Sequence, residues 1–259
     1  MEDFNKLPYL SPLWKGNTQN TIQMHHLWGR SIFQEGIGLT ALMVWLSEKL
    51  LSVVYPKENF IVVSDSTSKE LEAMSIPAKQ IQVIHNGNSV KYTGLIPMAS
   101  ARKKQILWLG RLQKYKGILD ALEAFAVIHP KNLDWNMVIA GDGPFRLECQ
   151  KYAEKLNIAD CVSFVGFVSQ TEKEKLLLES YVLLQTSYKE GWGLTVIEAG
   201  QYGLPVIANS APGLVDSVKE GKNGLLYDFG CVEGLATLIQ SLIDKPLTWE
   251  SLSIGGVQW

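Results

Sequence analysis

From about residue 104 onward, the chain alternates short, nearly continuous apolar runs with segments whose apolar residues recur at helical spacing. The runs are QILWLGR (105–111), NMVIAGDG (136–143), CVSFVGF (161–167), YVLLQTS (181–187), PVIANS (205–210) and GLLYD (224–228). Strands covered on both faces read in this way. Between them, Ile118, Leu122, Phe125 and Ala126, or Leu147, Tyr152 and Leu156, sit where one face of a helix would be buried. Such strand–helix repetition predicts an α/β, doubly wound parallel sheet with right-handed crossovers. Ligands of these sheets bind beyond the carboxyl ends of the strands. Gly110 and Arg111, 141–144, 166–168 and 187–193 all fall there.

The first hundred residues show three such strands, TIQMHH (21–26), FIVVSD (60–65) and IQVIHN (81–86), with helical stretches between them. They predict half of a second Rossmann-like sheet, with an unpaired edge. The stretch 86–104, with Gly, Pro, Ser and four basic residues and no periodicity, reads as a linker. The expected division is therefore a partial N-terminal lobe, 1–98, and a C-terminal lobe, 99–259. The most apolar run, IGLTALMVWL (37–46), is too short for a bilayer, which needs about 20 residues. It predicts a buried helix, or at most an interfacial segment.

Composition narrows the classes. With 24 basic and 26 acidic residues, net −2, the chain lacks the clustered positive charge of a nucleic-acid binder, so no nucleic-acid partner is expected. At 46% hydrophobic it is not a disordered chain. Cys149, Cys161 and Cys231 have no metal-ligand spacing and read as reduced packing thiols. The N-terminus lacks the pattern of a signal peptide, so a cytoplasmic location is expected.

Three motifs carry chemistry. In GRLQKYKG (110–117) a buried strand delivers Arg111 and then Lys116 at its functional end. A planar fork and a mobile point charge there suit a diphosphate or another dianion. In KEGWGLTVIEAGQYGLP (189–205), Glu190 precedes two glycines, and a helix starting near Leu194 carries Glu198. The glycines let a ligand approach backbone N–H groups at a helix N-terminus, an anion site by geometry and dipole. Glu198 could accept paired sugar hydroxyls. GDGP (141–144), led by Gly141, ends a strand and opens a helix with Pro in its first turn, a weaker phosphate or ribose signal. The fingerprints of nicotinamide, P-loop and zinc-protease sites do not occur, and no metal site is expected.

The order G-R-L-x(3)-K-G, G-D-G-P, F-V-G-F-V, E-G-W-G-L-T-V-I-E-A, G-L-P-V-I-A and G-x-N-G-L-L resembles the C-terminal lobe of retaining family-4 glycosyltransferases, which have the two-lobed GT-B fold. The resemblance covers about residues 104–240 and extends more faintly over 1–98, through 63–71 and the I-H-N-G at 84–87. It implies transfer of a sugar from a nucleotide-diphosphate donor, a co-substrate rather than a cofactor, with retention and without metal. The acceptor is left open among glycan, lipid and small molecule. By the same resemblance Arg111 and Lys116 would hold the leaving diphosphate, and Glu190 would contact sugar hydroxyls and support charge at the reacting carbon. Glu198 would bind the ribose. The amides of Gly191, Trp192, Gly193 and Leu194 would meet the sugar and phosphate, the backbone near Val168 the base, and His25 the donor sugar. The family's Gly-rich first loop and closing helix are expected beyond the two ends of this sequence. That makes an incomplete GT-B pair, and with it any peripheral membrane contact would fall to the absent part of the first lobe. The alternative expectation is a lobe that binds nucleotide sugar without catalysing transfer. A glycoside hydrolase using Glu190 and Glu198 is disfavoured, because it has no diphosphate for Arg111 and Lys116 to hold.

Overall fold

The computed structural model describes residues 1–259 apart from Asn5, Lys6, Lys15, Asn17, Gln19, Gly36, Ile37 and 88–91. Residue 37 of the apolar run and 88–91 of the expected linker thus lie outside the described residues. The chain divides into two compact units, Met1–Gly87 with Lys189–Trp192, and Asn88–Tyr188 with Gly193–Trp259.

The first unit holds a parallel sheet of β1 (Glu2–Phe4), β2 (Thr21–Met24), β3 (Asn59–Val62) and β4 (Ile81–Val83), in that order. Phe4, Ile22, Met24, Phe60 and Val62 build its core with Leu51, Tyr55 and Leu71. β1 is an addition to the three strands expected. Its inward positions are Phe4 and a carboxylate, Glu2, which is buried because Oε1 accepts from the Tyr55 hydroxyl and the Tyr9 N–H, both at 2.7 Å. The run at 37–46 corrects the expectation of a buried helix. It forms the helix Leu39–Lys49, which buries only Ala41, Val44 and Glu48.

Glu48 ends that helix and accepts the N–H groups of Trp28 at 2.6 Å and Gly29 at 2.8 Å. Burial raises its pKa from the ordinary 4.5, against the opposite pull of those N–H groups; Lys189 lowers it and Glu70 raises it further. The folded state therefore keeps a proton that the unfolded chain has already released. This contribution to stability is complete below about pH 4.5 and is lost as pH rises through the raised folded value. Glu48→Gln is expected to flatten that decline, read as urea unfolding midpoints of the first unit on both sides of the window. An unchanged slope would remove Glu48 as its source.

The second unit is a six-stranded parallel sheet: β5 (Gln105–Leu109), β6 (Asn136–Ala140), β7 (Val162–Gly166), β8 (Val182–Gln185), β9 (Val206–Asn209) and β10 (Gly224–Tyr227), ordered β10-β9-β8-β5-β6-β7. All five residues of β5 and all four of β8 and β9 are buried, as a sheet covered on both faces requires. The helix Ile118–Ile128 inserts Ile118, Leu122 and Phe125 into the core on one face of this sheet. The helix Arg146–Lys155 differs from expectation. Its buried residues are Cys149 and Ala153, Leu147 is exposed, and it starts two residues after Pro144. Small side chains let that helix approach closely, and burial pushes the Cys149 thiol up to about 12.

The expected linker is ordered at its end. Ala99 joins the core of the second unit, and its N–H donates to Glu250 at 2.8 Å. Arg102, counted among the basic linker residues, is buried. Its guanidinium donates to the carbonyls of Leu177 (2.8 Å), Ser180 (2.9 Å), Tyr202 (2.5 Å) and Gly203 (3.1 Å), and lies 5.0 Å from the Trp249 ring. Desolvation lowers its pKa to about 10. Five donors in a rigid fork fit such a ring of carbonyls, which a point charge would not.

Candidate functional site

Strand order reverses at β5. The chain runs outward through β6 and β7, then returns to place β8 on the other side of β5. Loops leaving β5 and β8 therefore diverge, and the crevice at this switch point is where open α/β sheets bind ligands. The loop after β5 carries Arg111 and Lys116, and the loop after β8 begins at Thr186.

Hydrogen bonds fix these loops to one another. The buried indole of Trp108, in β5, donates to Thr186 Oγ1 at 3.1 Å, and that hydroxyl donates to the Lys116 carbonyl at 2.9 Å. The Tyr188 N–H donates to the Tyr115 carbonyl at 2.8 Å. Gly117 makes the approach possible: it is left-handed (φ +64°), and a Cβ there would overlap the Thr186 carbonyl oxygen. It ends the turn Lys114–Lys116 and starts the helix Ile118–Ile128. Arg111 stands exposed at the strand end, while Lys116 is half-buried, with Nζ 5.0 Å from the Tyr115 ring. In the first turn of the helix, Asp120 accepts the Tyr188 hydroxyl at 2.8 Å on both oxygens. Burial raises the Asp120 pKa, and burial together with Asp120 pushes the Tyr188 hydroxyl up.

Gly141 stitches the next two strand ends into this edge. Its N–H donates to the Gly166 carbonyl at 2.7 Å, and at φ +129° a Cβ on it would overlap the Gly110 carbonyl oxygen. Leu112 N–H reaches the Asp142 carbonyl at 3.0 Å. Val168 is half-buried just beyond β7, beside the exposed Phe167.

Beyond β8 the helix Leu194–Gln201 starts from Gly193, left-handed at φ +76°, and no side chain caps it among the described residues. Its first N–H groups are thus open to an anion, and Leu194 is exposed. Glu198 lies in the second turn, half-buried, with Oε1 2.7 Å from Lys173 Nζ. Lys173 was not among the residues expected from sequence. It is placed by the capping box of Ser169 and Glu172, which starts the helix Gln170–Glu179.

Lys189–Trp192 groups with the first unit. Lys189 pairs there with Glu70, a Cβ on Gly191 would stand 2.5 Å from the His25 carbonyl oxygen, and Trp192 stacks on His85 at 4.1 Å. Glu190 is thereby bracketed by an ion pair, a close backbone approach and a ring stack. The His25 side chain is half-exposed, 3.7 Å from Asp3. The indole nitrogen of Trp192 is buried and has no partner among the described residues.

The structure thus collects Arg111, Lys116, Gly141, Val168, Gly193, Leu194 and Glu198 at the carboxyl edge of the second sheet, and places Glu190, Gly191, Trp192 and His25 in the first unit. Sequence reasoning missed Trp108, Thr186, Tyr188 and Asp120, which set the backbone under Lys116, Lys173, the partner of Glu198, and Glu70, the partner of Lys189.

A model of the family described as Glycosyl transferases group 1 matches residues 98–256. The lipopolysaccharide 1,6-galactosyltransferase of Salmonella typhimurium is 28% identical over 200 residues, covering 76% of this chain and 55% of that protein. The sucrose-phosphate synthase of Thermosynechococcus elongatus superposes with a TM-score of 0.77 at 25% identity, over 95% of this chain and 64% of that one. TarM of S. aureus, solved in a complex that includes UDP, superposes with a TM-score of 0.77 at 22% identity, over 94% of this chain and 47% of that one. The chain spans about half the length of the curated relatives it matches.

Proposed function

Because the chain belongs to the group 1 glycosyl transferases, we propose that it binds a nucleotide-diphosphate sugar at the carboxyl edge of its second sheet and transfers the sugar, with retention, to a hydroxyl acceptor. Its parallel α/β units are of the GT-B kind. The observation that carries the reading is the pinned loop at the switch point. Trp108, Thr186 and Tyr188 hold the backbone of the segment that presents Arg111 and Lys116.

In this reading the bond from the sugar carbon to the diphosphate breaks with its electron pair on the phosphate oxygen, the acceptor oxygen bonds to that carbon on the same face, and the acceptor's proton passes to the departing diphosphate. Arg111 and Lys116 meet that charge in place, and the open N–H groups at the start of the helix Leu194–Gln201 add a dipole of the right sign. Glu198 accepts the ribose hydroxyls while Lys173 keeps its carboxylate oriented. For Glu190 and His25, in the first unit, the family resemblance implies contacts to the donor sugar. Gly141 and Val168 flank the base.

Calorimetry of UDP, GDP and ADP with the chain in EDTA tests the donor site. At least one is expected to bind without divalent metal. Glu198→Gln should weaken that binding about ten- to a hundredfold, as loss of hydrogen bonds to a charged group of ~1.5–3 kcal/mol implies. Binding that vanishes on chelation would overturn the metal-independent reading, and binding of none of the three would overturn the donor site.

A further inference from the structure

Lys189 directly precedes Glu190, and its amine is paired with Glu70. Lysine–carboxylate pairs at the surface hold little. Lys103 and Lys104, paired with Glu179 and Asp134, keep 58% and 59% of their side chains exposed, whereas Lys189 keeps 11%. Taking an ammonium this far out of water is costly, and a buried pair returns little net stability over apolar side chains of the same size. What it adds is a fixed position.

The anchor is rigid. Glu70 belongs to the helix Asp65–Ala73, which Ser64 starts by accepting the Thr67 N–H at 3.3 Å and which Leu71 holds in the core of the first unit. Glu48 also feels the charge of Lys189. Both its oxygens are taken by the N–H groups of Trp28 and Gly29, so the amine is committed to Glu70. The second oxygen of Glu70 is buried without a partner among the described residues, so this carboxylate rests on Lys189. On the other side of Glu190, Gly191 approaches the His25 carbonyl and Trp192 stacks on His85. Resting on the donor reading above, in which Glu190 meets the sugar, we infer that Lys189 is a positioning residue: its pair with Glu70 fixes the loop that carries Glu190, and so governs the rate of transfer rather than the affinity for the nucleotide.

Hydrogen exchange of the full chain reads the loop directly. In Lys189→Met the amides of 189–192 should exchange at least about tenfold faster than in the parent, and in Lys189→Arg within about threefold of it. Adding Glu70→Leu to Lys189→Met removes the carboxylate left without its partner, so the thermal midpoint should return toward the parent while the loop stays fast. Affinity for UDP, GDP or ADP should hold within about twofold in all three variants, because Arg111, Lys116 and Glu198 lie in the second unit. Turnover of the corresponding glucose, galactose or N-acetylglucosamine conjugates should fall about tenfold or more in Lys189→Met and in the double variant, and recover in Lys189→Arg. Parental exchange in Lys189→Met, or parental turnover with a loosened loop, would overturn the inference. So would a double variant that recovers turnover along with its stability, because the pair would then be structural only. A parent that binds none of the three nucleotides would instead overturn the donor site, and the exchange measurement would still decide whether Lys189 holds the loop.

Discussion

Arg111→Ala is expected to lower turnover of the sugar nucleotide about a hundred- to a thousandfold while changing KM far less. In the proposed reading, ground-state binding of the diphosphate would be shared between Lys116 and the N–H groups that open the helix Leu194–Gln201, with Glu198 on the ribose. The charge on the departing oxygen grows only as the bond breaks, and removing one preorganised donor from a developing oxyanion costs ~2.7–4 kcal/mol. Arg111 suits this role because it is exposed at the end of a fully buried strand, with its base fixed by β5. Arg111→Lys should recover only part of the loss, since a point charge cannot present two parallel N–H groups. The measurement is donor hydrolysis or transfer across a range of sugar-nucleotide concentrations up to saturation, with parent and variant in parallel. A variant that raises KM and leaves kcat intact would place Arg111 in ground-state binding alone.

Much of this architecture was legible because its signals are local. A strand buried on both faces leaves an apolar run whatever it packs against, so β5, β6, β8 and β9 stood out, and the partly buried β2, β3, β4, β7 and β10 still carried enough β-rich apolar residues to be read. β1 did not, because its inward Glu2 is made tolerable by Tyr55, 53 residues away in sequence. The apolar content of 37–46 was visible, but its orientation was not. Leu and Met write the same letters whether they face a core or water, and only the packing of Ala41, Val44 and Leu51 shows which side was left outside. The site divides in the same way. Arg111, Lys116, Glu190 and Glu198 sit in short motifs at strand ends and could be picked from spacing. Their supports could not: Thr186 reaches Lys116 across 70 residues, Lys189 reaches Glu70 across 119, and Arg102 reaches Tyr202 across 100. Those contacts exist only once the sheet has assembled.

The same dependence makes Gly117→Ala a costly substitution for the second unit. Two penalties coincide at this position. Its φ of +64° strains any residue with a Cβ, and the added carbon would overlap the Thr186 carbonyl oxygen and stand 2.9 Å from the carbonyl carbon. Backbone strain of this kind costs ~1–3 kcal/mol and forced overpacking another ~1–3 kcal/mol. Relief by moving the loop would break the Thr186–Lys116 bond and turn Lys116 away from the site. Gly230 separates the two penalties, being left-handed at φ +70° with nothing within 4 Å of its added Cβ. Gly230→Ala should therefore carry only the conformational cost. In thermal unfolding, Gly117→Ala should lower the midpoint of the second unit by about 5–20 °C at ~2–4 °C per kcal/mol, and Gly230→Ala by no more than about half as much. Nucleoside diphosphate affinity should fall with the first variant and hold with the second. Equal losses of stability in the two variants would mean that the close approach of Gly117 to Thr186 does not constrain the site.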